Sequence, residues 1–280
     1  LGRVDPPEWA APTNVALYFN ALTFLATACT VYFGIKEISG GASAQNRERR
    51  PGLLKEFVDG WRFIGRTPLV RGLVLGIFGA FAGGGVVIGT AQFYARELYG
   101  GDSTFFILFA MLFVGLASGI VGGPRLIGAL SRRRWFGLSI VLAAGAVVLL
   151  ALAWHLSIAV LAALLVGVGA GMAFLSGTTL LGGEVDDDLR GRAFAVVQTG
   201  VRVVLMLTIA LSSTLVGAGG RRTIDVGFTN VPLSTTRMLL LAAGVFGVLA
   251  GIGALRQMDD KAGVPVLADL WGSLRGRPLS

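Results

Sequence analysis

Cysteine, histidine and lysine are nearly missing from this 280-residue chain, and charge of either sign is scarce. Cys29 is the only cysteine, so no intramolecular disulfide can form. His155 is the only histidine, which leaves too few partners for a histidine-ligated zinc site or a Ser-His-Asp triad. Catalysis within these residues is not expected, nor is a metal or other cofactor. Charged residues make up 14% of the chain, against roughly a quarter in soluble domains. The deficit is filled by apolar residues, at 54%, which is a membrane composition.

Seven segments are apolar over about the twenty residues needed to cross a hydrocarbon core of roughly 30 Å: 15–35, 72–94, 104–124, 135–154, 157–181, 193–217 and 237–255. The expected fold is therefore an all-α polytopic membrane protein with seven transmembrane helices in a lipid bilayer. The net charge of +8 would suggest nucleic acid in a soluble protein, but its distribution reads as topology. Eighteen Lys and Arg fall in the connections after the first, third and fifth spans and after the seventh. Only five fall on the opposite side: Arg3, Arg96, Arg221, Arg222 and Arg237. The positive-inside rule then places residues 1–14 outside the cell membrane and 256–280 in the cytoplasm, with no nucleic-acid surface. The chain opens on "LGRVDPPEW", without Met or a basic leader, which predicts a segment of a longer protein with no secretory signal peptide.

Residues 36–71 begin as a polar linker, "SGGASAQNRERRPG". They continue as "LLKEFVDGWRFIGRTP", whose apolar residues recur at helical spacing and predict an amphipathic helix on the inner membrane surface, ended by Pro68. Glycines at small-xxx-small spacing, such as Gly115/Gly119 and Gly167/Gly171, predict close helix packing. Gly83, Gly84 and Gly85 form a run that serves either packing or a hinge.

"EVDDDLRGR", residues 184–192, concentrates charge between two apolar runs. We read it as a cytoplasmic loop in which Asp187 or Asp188 caps the sixth span. Arg190 and Arg192 would keep that span from sliding, and Asp186, Asp187 and Asp188 would latch onto Arg132, Arg133 and Arg134. Three adjacent aspartates in a loop do not make a metal site. Arg202 is the one basic residue inside a span, close to its middle, with Gln198 one turn away and Thr199 adjacent. An arginine at that depth faces protein or water.

Seven spans with an external amino end match the layout of heptahelical receptors and retinal-binding pumps, but Lys36, Lys55 and Lys261 all lie outside the spans, so no Schiff-base lysine exists. A different resemblance covers almost the whole chain. "VALYFNALTFLATACTVYF", "LLKEFVDGWRFIGRTPLVRGL", "GGPRLIGALSRRRWFG" and "EVDDDLRGRAFAVVQTGVR" occur in an order and spacing that resembles exporters of the major facilitator superfamily. The resemblance implies that 15–35 is the last helix of an amino-terminal half missing from this chain, and that 72–255 is the six-helix carboxyl-terminal half. It further implies alternating-access export of a small-molecule substrate, the sixth span here being the family's eleventh helix, beside the central cavity. The family's loop signature carries a carboxylate at the fifth position from its glycine; Ile127 stands there after Gly123, and only the basic end, Arg132–Arg134, is kept. The segment after the last span, "RQMDDKAGVPVLADLWGSLRGRP", also resembles the junction of actinobacterial chains in which a thymidylate kinase domain follows. That implies, as the alternative, the membrane domain of a two-domain chain. No phosphate-binding Gly-x-x-x-x-Gly-Lys-Ser/Thr loop occurs in 256–280, so a kinase domain would lie beyond Ser280.

Overall fold

Pro68 begins a helix where the sequence suggested the end of one. Its missing N–H and fixed φ suit the first helical position, so the second span starts four residues before the expected 72. The computed structural model describes residues 12–34, 65, 68–98, 100–127, 130–184, 187–219, 224–226, 229–231, 234–260 and 269. The expected amphipathic helix, Asp186 and the segment 1–11 lie outside these. The elements are α1 (Pro12–Gly34), α2 (Pro68–Glu97), α3 (Gly101–Ile127), α4 (Arg132–Leu152), α5 (Leu156–Glu184), α6 (Asp187–Gly219), β1 (Ile224–Val226), β2 (Thr229–Val231) and α7 (Thr235–Met258). Helices α2 to α7 are each long and apolar enough to cross a membrane; α1 has a shorter apolar stretch, Leu17–Phe33. The all-α membrane architecture holds, with the addition of an antiparallel hairpin that pairs Ile224 with Val231 and Val226 with Thr229.

The chain divides into two units, Leu1–Leu53 and Leu54–Ser280. In the first, α1 exposes apolar side chains such as Phe19, Phe24 and Tyr32 along its length. The hydroxyls of Thr23, Thr27 and Thr30 donate to the carbonyls of Asn20, Thr23 and Ala26 on the same helix. That pairs these three hydroxyl protons in an apolar solvent.

The second unit holds the six-helix bundle. Helix α3 packs on α5, α4 on α5 and α7, and α2 on α7 and α6. The α3–α5 contact depends on four glycines. A Cβ on Gly115 or Gly119 would run into the carbonyls of Leu164 or Val168, and one on Gly167 or Gly171 into those of Leu112 or Leu116. Backbones this close gain dispersion contacts that lipid cannot replace. Gly101, at φ +55°, turns the chain between α2 and α3. One apolar cluster, around Leu73, Phe136, Ile140 and Ala254, fills the bundle near the start of α4. Another, around Tyr94, Leu150, Ala159 and Leu240, fills it near the end of α4.

Candidate functional site

Helix α6 packs mainly on α2, through Gly200 against the Phe78 ring and Thr208 against Gly85. Its remaining circumference is open: Gln198, Thr199, Arg202, Val203, Met206 and Leu207 are all exposed. The membrane-compatible part of α6 starts at Phe194. Arg202 is eight residues further on, about 12 Å at 1.5 Å per residue, and so lies deep in a core of roughly 30 Å. The polar side chains along this helix behave in two ways. Thr208, Ser212, Ser213 and Thr214 each donate to a carbonyl three or four residues back. Gln198, Thr199 and Arg202 have no partner among the described residues, and no Asp or Glu occurs in the described spans except near helix ends. A charge and two hydrogen-bonding groups left open at that depth, where an arginine in lipid costs roughly 2.5–3.5 kcal/mol on insertion scales, mark a face that meets water, substrate or further protein.

The bundle carries two more polar centres, one at each end of the antiparallel α4–α7 pair. At the first, Ser131 is the N-cap of α4, accepting from the Arg134 N–H, while its hydroxyl donates to Asp260 Oδ1 at 2.8 Å. The Arg134 side chain is 0% exposed; Nε and Nη2 reach Asp259 Oδ1 at 2.8 Å, and Nη1 reaches Asp269 Oδ2, itself fully buried, at 3.0 Å. Arg71, on α2, adds a bond from Nε to Gln257 Oε1 at 3.0 Å. At the second centre, Ser234 is the N-cap of α7, accepts from the Arg237 N–H, and donates to Glu97 Oε2 at 2.7 Å. Arg237 Nε lies 3.6 Å from the same oxygen, and Nη1 donates to the Ala151 carbonyl at 3.1 Å. Its guanidinium also sits 5.0 Å from the Trp154 ring centre and 5.8 Å from that of Tyr94, in cation–π range. The Tyr94 hydroxyl donates to the Leu150 carbonyl.

A protein-family model described as MFS/sugar transport protein matches residues 10–258. The chain belongs to the major facilitator superfamily. No curated protein gives a match to it. The family match spans all seven helices and stops at Met258, so Asp259, Asp260 and Asp269, the carboxylates that hold the Arg134 end of this facilitator, lie beyond it.

One expectation changes. The supposed 184–192 loop is mostly helix: α5 runs to Glu184 and α6 starts at Asp187, with only two residues between them. Asp187 and Asp188 thus fall in the first turn of α6. Carboxylates at the positive helix end, with Arg190 and Arg192 three and four residues on, favour helix beyond the apolar run. Arg134 pairs with Asp259 and Asp269, since α7 ends beside the start of α4; the side chains of Asp186, Asp187 and Asp188, its expected partners, lie outside the described residues. Arg132 is exposed and Arg133 half-buried. Arg237, the first residue of the expected seventh span, is a buried residue of the first turn of α7. Helix α2 runs unbroken through Gly83, Gly84 and Gly85. Gly85 meets Thr208, whereas nothing approaches Gly84 within 4 Å.

The sequence reading missed Ser131, Asp259, Asp260, Asp269, Glu97 and Ser234. A signal was present: "SRRR" at 131–134 and "STTR" at 234–237 both set a serine three residues before an arginine at the head of an apolar run.

Proposed function

We propose that this facilitator is the carboxyl-terminal portion of an alternating-access secondary transporter that exports a small molecule across the cytoplasmic membrane. Gln198, Thr199 and Arg202 form part of the substrate path. The carrying observation is that these three side chains are open and unpartnered among the described residues deep along α6, while every other hydroxyl on that helix toward its far end bonds within it. An amino-terminal six-helix half supplies the opposite wall of the cavity, as the resemblance implies, and substrate binds near the midplane between the two. Arg202 attracts an anionic group there, carried by the substrate or by a coupling carboxylate of that half. Gly84, with open space beside it, gives α2 a place to bend. By their place in the sequence, Arg132, Arg133, Arg134, Asp186, Asp187, Asp188, Arg190 and Arg192 belong to the cytoplasmic connections, which gate the path. The export direction rests on the resemblance of the loops, and the cytoplasmic carboxyl end on the eighteen-to-five distribution of basic residues. No structural feature favours a kinase downstream.

The test uses the full-length protein in sealed vesicles. Arg202→Gln, which removes the charge, is expected to insert normally and abolish flux, while Arg202→Lys, which keeps the charge but loses the planar fork, retains part of it. Flux near the wild-type level in Arg202→Gln removes Arg202 from the mechanism. The sign of the flux in oriented vesicles decides between export and import. Sidedness is read independently with reporters: one fused after Arg277 should be cytoplasmic and one inserted near Arg222 external. Both on one side contradicts the topology.

A further inference from the structure

Beside the Arg237 centre lies a cavity of about 230 Å³ between α2, α6 and α7. At about 30 Å³ per water it has room for seven or eight molecules, below the usual size of a drug-like site. Its lining is uneven. Phe93 and Val216 form an apolar wall, while Arg96, Glu97, Ser234, Thr235 and Thr236 form the polar remainder. Three of those polar groups have capacity to spare. Thr236 is only 1% exposed, lines the cavity, and its hydroxyl has no hydrogen-bond partner among the described residues. Glu97 receives both Ser234 and Arg237 on Oε2, which leaves Oε1 open. Arg96 is exposed and has no carboxylate partner among the described residues.

A hydroxyl at the cavity wall with no partner among the described residues is free to bond a ligand there. The electrostatics say what kind. Arg96 and Arg237 outnumber Glu97 by one charge, and the cavity sits against the first turn of a 24-residue helix, whose positive end favours an anion. The open carboxylate oxygen, Glu97 Oε1, asks for a donor on the same ligand. We propose that this cavity binds a small carboxylate bearing a donor on the adjacent carbon, a 2-hydroxy or 2-amino acid. The carboxylate lies on Arg96 and the Thr236 hydroxyl, the donor on Glu97 Oε1, and the short carbon chain on Phe93 and Val216. This site is separate from the Arg202 face and stands whether or not that face carries substrate.

The test is calorimetric titration of the purified full-length protein with lactate, alanine and propionate, which share a carbon skeleton and differ in the donor. Lactate, alanine or both should bind at least about tenfold more tightly than propionate, the value of one charge-assisted hydrogen bond. The stronger of the two identifies the donor as hydroxyl or ammonium. Arg96→Gln should weaken that binding by about tenfold or more. Thr236→Val, which keeps shape and loses the hydroxyl, should weaken it about three- to tenfold with thermal unfolding unchanged. Arg202→Gln should leave it as in wild type, whatever it does to flux. Equal binding of all three acids, binding of none, or wild-type affinity in both Arg96→Gln and Thr236→Val overturns the proposal.

Discussion

At one end of the α4–α7 pair, Ser131 caps a helix and Arg134, three residues on, is surrounded by two carboxylates. At the other end, Ser234 caps a helix and Arg237, three residues on, shares one carboxylate with that serine and rests between two aromatic rings. The local device is the same, because an N-cap serine fixes the first turn and so aims the side chain of its third residue back toward the helix end. What differs is the neighbour's contribution. The chain beyond α7 brings Asp259 and Asp269 to Arg134 and leaves its guanidinium 0% exposed. Helix α2 brings one carboxylate, Glu97, and the Tyr94 ring to Arg237, with the Ala151 carbonyl and the Trp154 ring making up the rest. One arginine is neutralised by anions, and the other is partly solvated by carbonyl and π density. The second arrangement leaves an acceptor oxygen and a cavity beside it.

The largest effect is expected at the anion-rich end. Arg134→Met leaves buried Asp269 and exposed Asp259 without their cation, and breaking the buried pair with Asp269 from one side costs about 3–5 kcal/mol. Arg237→Met loses a carbonyl bond, a 3.6 Å ion pair and two cation–π contacts, at about 1–3 kcal/mol in total. Thermal unfolding of the two variants in detergent measures the order directly. Equal losses would remove the distinction between the ends.

A smaller effect inverts that order. Ser131→Ala and Ser234→Ala each delete a cap worth about 1 kcal/mol. The Ser131 hydroxyl otherwise donates only to exposed Asp260, whereas that of Ser234 donates to Glu97, which is half-buried. Ser234→Ala should therefore be the more damaging, by up to about 1 kcal/mol. The same unfolding assay reads it, and a larger loss for Ser131→Ala would mean that Asp260 contributes more than its exposure suggests.

How far the sequence revealed these regions follows from the physics of each. The spans were legible because length and hydropathy have to match a bilayer, and their order was enough for the resemblance. The 184–192 stretch was misread because hydropathy marks only the lipid-facing part of a helix. Helix α6 begins at Asp187, seven residues before its apolar part at Phe194, and no apolar window detects that polar first portion. Arg202, Gln198 and Thr199 were visible as polar residues in an apolar run, since that depends only on depth. Arg134 and Arg237 were not separable from loop charges, because their partners lie far away in sequence: Asp259 and Asp269 for one, Glu97 for the other. Serine three residues before arginine was present at both sites, but only the antiparallel pairing of α4 with α7 places each arginine against its neighbour's end.

The central claim is that the α6 face carrying Gln198 and Arg202 lines a path that opens in turn to each side of the membrane. A single cysteine at position 198, in full-length protein with Cys29 and every other native cysteine replaced by serine, tests it while leaving Arg202 in place. The reagent is a membrane-impermeant thiol probe applied to sealed vesicles of each orientation. The account predicts labelling from both sides, with substrate gradients shifting the ratio between them. Labelling from neither side, or from one side only under every gradient, would contradict it.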